Sequence, residues 1–352
     1  MSESNDPDTI AILGAGMAGL AAARLLARAG ATVHVFDKGR GVGGRLSTRT
    51  ANGDASSTQG AQFDHGAQYF TAESDRFRAQ VAEWVAAGVA AEWEGRLATI
   101  ECDAAGCVNA DPPGGKKRYV GVPGMNAVAK RLAEEVAEAG GRVTTGVRVA
   151  PLKRGAGRWR LAGESGEPLG DFAKVVVTTP APQAAELLTP SPALSNAAKS
   201  VRMTGCWAAM ASFAGPLPVD FDGAFVNGPT EATPLSWIAR DSSKPERPAV
   251  GGDHWVLHGS AAWSEANLEV APEQAAQSLL AAFWRAVGAT PRAPTSLAGH
   301  RWRFALPENP LDERALADRG LGLFAAGDWC GGPRVEGAYL SGLAVGEAIL
   351  AT

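Results

Sequence analysis

Apolar and polar positions alternate along the chain in a way that predicts both helices and strands. Thr9 to Leu13 is a short apolar run that ends at glycines, the pattern of a buried parallel strand. Met17 to Ala29 is built of helix formers with a basic end, Arg24 and Arg28, and stops at Gly30. Thr32 to Phe36 alternates as a second strand, which completes a β-turn-helix-β unit of the size a parallel crossover needs. Gly39 to Gly44 is a glycine-rich loop. Arg76 to Trp93 predicts a helix or helix pair with Phe77, Val81, Trp84 and Val85 on one side, and Met125 to Ala139 an amphipathic helix stopped by Gly140 and Gly141. Strands are expected at Val143 to Val149, Arg158 to Ala162 and Ala173 to Thr179. The Pro- and Ser-rich stretch Thr189 to Ser195 suits a crossing between domains. From Met203 to His258 the pattern is that of several short strands carrying Trp207, Phe213, Phe225, Trp237, Trp255 and Leu257. Glu273 to Val287 is helical, Leu321 to Ala326 a last buried strand, and Val335 to Leu350 a last helix.

These elements imply an α/β fold: a Rossmann-like dinucleotide-binding domain with an inserted α+β domain of mixed or antiparallel sheet. The expected division gives residues 1–70, 118–190 and 305–352 to the first, and 71–117 and 191–304 to the second. The 352 residues suffice for both cores, and the apolar (45%) and charged (20%) fractions are those of a water-soluble globular protein. A net charge of −4 offers no basic footprint for nucleic acid or an anionic membrane. No apolar run reaches the length of a bilayer span, and Met1 to Asp8 lacks the pattern of a secretory leader, so a cytoplasmic protein is expected. Cys102, Cys107, Cys206 and Cys330 fit no zinc spacing and read as reduced thiols. Five scattered histidines, His65 beside Asp64 included, give no ligand spacing, so no metal is expected.

The chemistry is concentrated at the first turn. In Gly14-Ala15-Gly16-Met17-Ala18-Gly19, the first glycine makes the tight turn and the second lets backbone approach a pyrophosphate. The third lets the helix pack on the strand. The pyrophosphate would rest on the helix N-terminus, and Asp37, closing the second strand, can accept from ribose hydroxyls. The Gly41-Val42-Gly43-Gly44-Arg45 loop adds a cation just beyond that acid, where Arg45 could neutralise the diphosphate from the side opposite the helix. Gly327-Asp328 returns the chain to the same sheet, where Asp328 could accept from a ribitol hydroxyl. Val335-Glu336-Gly337-Ala338 opens a helix whose N–H groups could stabilise charge on a reduced isoalloxazine. This combination points to FAD rather than NAD.

With these motifs at both ends, the chain resembles the flavoprotein family of amine oxidases and phytoene desaturases, which usually has Glu where Asp37 stands. The resemblance implies non-covalent FAD held by Gly14, Gly16, Met17, Ala18, Gly19, Asp37, Lys38, Gly44, Arg45, Gly66, Ala67, Val149, Asp328, Val335, Glu336 and Ala338. Val149 would meet the adenine through its backbone. Four inner segments are similar to bacterial renalases: Asp64 to Phe70, Pro234 to Pro245, Trp255 to His258 and His300 to Phe304. Asp241 stands where that family often has Asn. This narrower resemblance implies hydride transfer from 2- or 6-dihydro-NAD(P) to flavin, giving NAD(P)⁺, with O2 reoxidising the flavin to H2O2. The product is an aromatic cation, so the protein needs only to stack and orient its substrate. The substrate face would comprise Gln68, Tyr69, Trp237, Arg240, His258, Trp302 and Arg303, the arginines meeting phosphates. Trp237, Trp302 and His258 equally suit a core, and Arg240 and Lys244 a solvated surface. The alternatives are a flavin amine oxidase acting on a small or polyamine substrate, with Lys244 the one lysine in a motif, and a non-catalytic flavin-binding protein. The expected partners of an enzyme are a small-molecule substrate and O2, with no nucleic acid and no membrane, whereas the non-catalytic reading makes it a sensor or partner-binding protein.

Overall fold

The computed structural model describes residues 9–51, 60–110, 114–229, 233–248 and 251–351. The expectation about Met1 to Asp8 lies outside them. One sheet runs in the order Leu316–Asp318, Leu323–Ala325, Lys174–Val177, Thr9–Leu13, Thr32–Phe36 and Arg142–Thr144. All neighbours are parallel except the first pair. Its central strands Thr9–Leu13 and Lys174–Val177 are mostly apolar because both faces are covered. Ile10, Ile12, Val33 and Val35 face a core shared with the helices Met17–Arg28, Ala127–Glu138 and Arg334–Leu350. Ala11, Leu13, Val175 and Val177 face Trp159, Leu161 and Phe172 of a three-stranded antiparallel sheet, and the helices Ala181–Leu187 and Pro192–Ser200. The first and last helices pack closely: a Cβ at Gly342 would fall 2.2 Å from the Ala18 carbonyl oxygen.

The second sheet has seven strands in the order Ser296–Pro307, Met203–Phe213, Asp253–Gly259, Leu235–Arg240, Gly223–Asn227, Leu97–Cys102 and Cys107–Ala110. Only Gly223–Asn227 and Leu97–Cys102 run parallel. The helix Pro272–Val287 covers one face through Leu279 and Phe283. The other face meets the nucleotide-binding unit, to whose core Trp237 and Ala239 belong.

Several expectations need correction. Arg76 to Trp93 is one helix, Asp75–Ala86, followed by the strand Ala90–Glu92, because Gly88 at φ +69° turns the chain. Phe77, Val81 and Trp84 are buried on the nucleotide-unit side, whereas Val85, at the flank of that face, is 43% exposed. The strand expected to reach Val149 ends at Thr144, before Gly146 at φ +75°. Thr189 to Ser195 is no linker, since the helix Pro192–Ser200 starts within it. Ser296–Pro307 is a strand that periodicity did not announce, and it runs through the expected boundary at 304/305. Cys102 and Cys107 are not free thiols but disulfide-bonded: the turn over Asp103 to Gly106 sets them opposite each other in a hairpin. Cys206 and Cys330 are free. Among the described residues no helix is long and apolar enough to cross a membrane, and no acid, His and Cys cluster suits a metal.

Candidate functional site

The glycine turn is built as a phosphate cradle. The Gly14 N–H donates to the Phe36 carbonyl at 2.8 Å and its φ is +120°. A Cβ at Gly19 would sit 1.9 Å from the Gly14 carbonyl oxygen, so only glycine lets the helix approach the strand. At Gly16 a Cβ would meet nothing within 4 Å, leaving open space over the helix N-terminus. That terminus has neither a side-chain cap nor an acid in its first turn, so the N–H groups around Met17 and Ala18 face this space uncompensated. Asp37 braces the cradle: its two carboxylate oxygens accept from the Ala15 and Gly39 N–H groups, each at 2.6 Å. Lys38 follows on the exposed side, and Val149 pairs with Gly163 in an isolated bridge near the same edge.

Both ends of the chain close on this cradle. The Gly43 N–H donates to the Ala15 carbonyl at 2.8 Å, and Gly44 lies against Gly16. Arg45 forms a bidentate pair with Asp328 at 2.6 and 2.7 Å and also donates to the Ala305 carbonyl. The sequence assigned these two side chains to separate parts of the cofactor; the structure ties them to each other. Val335 and Ala338 sit in the first turns of the last helix, whose N-terminus starts at Pro333. The Glu336 carboxylate is directed elsewhere, accepting from the Glu73 and Ser74 N–H groups and the Ser74 hydroxyl at 2.6–2.9 Å. Cys330 is buried, and burial with Asp328 nearby pushes its thiol well above the usual range. A protonated buried thiol is a poor nucleophile.

Between the two domains runs a strap, Asp64 to Phe70, pinned at almost every residue. The Asp64 carboxylate accepts from the Thr48 hydroxyl at 2.7 Å, the Met125 N–H at 2.9 Å, Lys244 Nζ at 3.0 Å and Arg247. Lys244 also meets Asp241 at 2.5 Å and Gln68 Oε1 at 3.3 Å. The side chains of Asp64, Asp241 and Lys244 are all 0% exposed. Burial alone would raise the Asp64 carboxyl, but Lys244 and Arg247, with the Met125 and Thr48 donors, hold it below its usual value. The His65 carbonyl accepts from Trp302 Nε1 at 2.8 Å and His258 Nε2 at 3.2 Å. The Ala67 N–H donates to the Arg45 carbonyl, and Phe70 pairs with Tyr119. Burial pushes His65 and His258 down to about 4, so both rings are neutral at pH 7.

Of the residues expected on the substrate face, Gln68, Tyr69 and Trp237 come together here. The Tyr69 ring lies 5.4 Å from Trp237, which is flanked by Phe225 and Trp93. The Arg118 guanidinium is 5.3 Å over Tyr69. His258 and Trp302 converge instead on the His65 carbonyl. Arg240 and Arg303 are on the other side, because successive residues of a strand point to opposite faces. Arg240 pairs with Asp222 at 3.3 Å and lies 4.9 Å over Trp255, while Arg301 and Arg303 share Glu269. Sequence reasoning gave Asp241 no role, did not name Arg247, and left Lys244 between a solvated surface charge and the motif lysine of an amine oxidase. The only hint was a charged run inside an otherwise apolar stretch, and its burial depends on Asp64, which is remote in sequence.

A glycine cradle open at Gly16, closed by an arginine loop and by the returning end of the chain, defines a dinucleotide-binding protein. The chain belongs to the flavin containing amine oxidoreductase family, whose profile matches residues 97–350. Residues 12–84 match the NAD(P)-binding Rossmann-like domain. FAD is the cofactor, and the open helix N-terminus fits its pyrophosphate. The fold is shared with a candidate protoporphyrinogen oxidase from Exiguobacterium sp. 255-15, at 16% identity and TM-score 0.76 over 100% of both chains. It is also shared with a putrescine oxidase bound to putrescine, at 14% identity and TM-score 0.68, covering 98% of this chain and 99% of that one. An oxidoreductase from Methanosarcina mazei matches at 14% identity and TM-score 0.70, covering 96% of this chain and 100% of that one.

Proposed function

We propose that this flavoprotein oxidises 2- or 6-dihydro-NAD(P) to NAD(P)⁺. The observation that carries the reading is the Tyr69–Trp237 pair beside the strap, with Arg118 over Tyr69. An aromatic pair suits a flat dihydropyridine, and a guanidinium over one of its rings suits the phosphates attached to it. FAD, when bound, supplies the hydride acceptor, and O2 restores it with release of H2O2. The substrate becomes an aromatic cation by losing hydride alone, so no base has to take a proton. The neighbouring ionisable groups match that requirement, being already committed. Lys244 is engaged by Asp64 and Asp241, and His258 donates to the His65 carbonyl. Gln68 is committed as well, its amide oxygen accepting from Lys244 and its amide nitrogen donating to the Asp64 carbonyl. Arg118 takes the phosphate role first expected of Arg240 and Arg303.

A second reading, oxidation of a small amine or polyamine, is favoured by the family and by the same aromatic pair, which could flank an alkyl ammonium. Stopped-flow mixing separates the two. The 2- and 6-dihydro isomers should bleach the oxidised flavin band, with 4-dihydro-NADH much slower and an amine panel giving no peroxide. Flavin that stays oxidised with all dihydro isomers but yields peroxide with an amine would replace the first reading by the second.

A further inference from the structure

We infer that His258 and Trp302 are positioning residues for the flavin, acting through the His65 carbonyl to aim the Gly66 N–H at it. Two donors from neighbouring regions of the substrate-domain sheet, Trp302 Nε1 at 2.8 Å and His258 Nε2 at 3.2 Å, converge on this one carbonyl oxygen. Both are neutral donors: indole has no other state, and His258, at about 4, carries a single ring proton at pH 7, which this contact places on Nε2. A carbonyl holding two donors fills both lone pairs and cannot rotate without orphaning a buried group. The His65–Gly66 peptide is trans, so its N–H points the opposite way, off the sheet and toward the nucleotide-binding unit. Among the described residues that N–H has no protein acceptor, although Gly66 is only partly exposed.

The Arg45 loop fixes the position from the other side. The Ala67 N–H donates to the Arg45 carbonyl at 2.8 Å, and a Cβ at Gly66 would lie 2.0 Å from that same oxygen. Glycine is required, and the strap is locked to the loop that carries the cofactor-side arginine. A peptide so held is a preorganised donor, suited to an acceptor edge that gains electron density when the flavin is reduced.

The test uses holoprotein labelled with ¹⁵N-glycine and the variants Trp302→Phe, His258→Leu, His258→Gln and the Trp302→Phe/His258→Leu pair. The Gly66 amide resonance should move when dithionite reduces the flavin. Each single loss should raise the FAD dissociation constant roughly three- to tenfold and shift the flavin absorption maximum. The double variant should exceed the product of the singles, because either donor alone still holds the carbonyl. His258→Gln, which keeps a side-chain donor, should recover part of the affinity. A Gly66 resonance indifferent to flavin reduction would overturn the inference. So would variants whose FAD affinity and spectrum are unchanged, or fall only in step with thermal stability.

Discussion

Replacing Lys244 by Met tests the buried charge cluster most directly. In the native protein Lys244 and Arg247 balance Asp64 and Asp241 in a site where Asp64, Asp241 and Lys244 have no exposed side-chain surface. Methionine fills similar volume but leaves two carboxylates facing one guanidinium. Breaking a buried pair by removing one partner costs about 3–5 kcal/mol, because the remaining charge is neither solvated nor paired. For a chain of this size, with roughly 2 cal/mol/K of unfolding entropy per residue, that is a fall of about 4–7 °C in Tm. The loss should shrink as the pH is lowered into the carboxylate range, since one acid can then take up a proton and restore balance. Adding Asp241→Asn should recover about half of the loss, because it leaves the single pair of Asp64 and Arg247. Thermal unfolding of the holoproteins at several pH values reads all three effects. A Lys244→Met protein within 1 °C of the native Tm, or a double variant less stable than the single, would refute this account of the cluster.

Three further outcomes follow from the same structure. His65 and His258 are held at about 4 when folded, against about 6.5 when unfolded, so the unfolded chain binds protons more readily below pH 6.5. Stability from these rings is complete above that pH and declines as pH falls toward 4, by up to about 3 kcal/mol each. Urea unfolding at pH 7.5, 5.5 and 4.5 measures it, and His258→Gln should flatten part of the slope. In the cradle, Gly16→Ala should leave Tm nearly unchanged but lower FAD affinity at least tenfold, its methyl entering open space over the helix N-terminus. Gly19→Ala should destabilise the fold itself, its methyl meeting the Gly14 carbonyl. Flavin titration alongside thermal scans distinguishes the two.

Local signals were the ones legible in the chain. The strand Thr9–Leu13, the helix Met17–Arg28 and the strand Arg158–Ala162 follow from periodicity and glycine stops, because neighbouring residues decide them. The sequence alone likewise determined the nucleotide cradle: turn, helix N-terminus and acid lie within one βαβ unit. The return of Asp328 to the same sheet was also legible, although its pairing with Arg45 was not. Tertiary structure decided what depends on partners far along the chain. Whether Lys244 is solvated or buried rests on Asp64, and whether Trp302 faces substrate or the His65 carbonyl rests on where the long strand Ser296–Pro307 pairs. Arg240 and Arg303 show the same dependence, since a strand's alternation fixes two faces but not which one meets the cofactor. Cys102 and Cys107 became a disulfide only once a hairpin set them opposite each other. The cofactor site is therefore written in short-range pattern, while the strap that meets it is specified by contacts between the two domains.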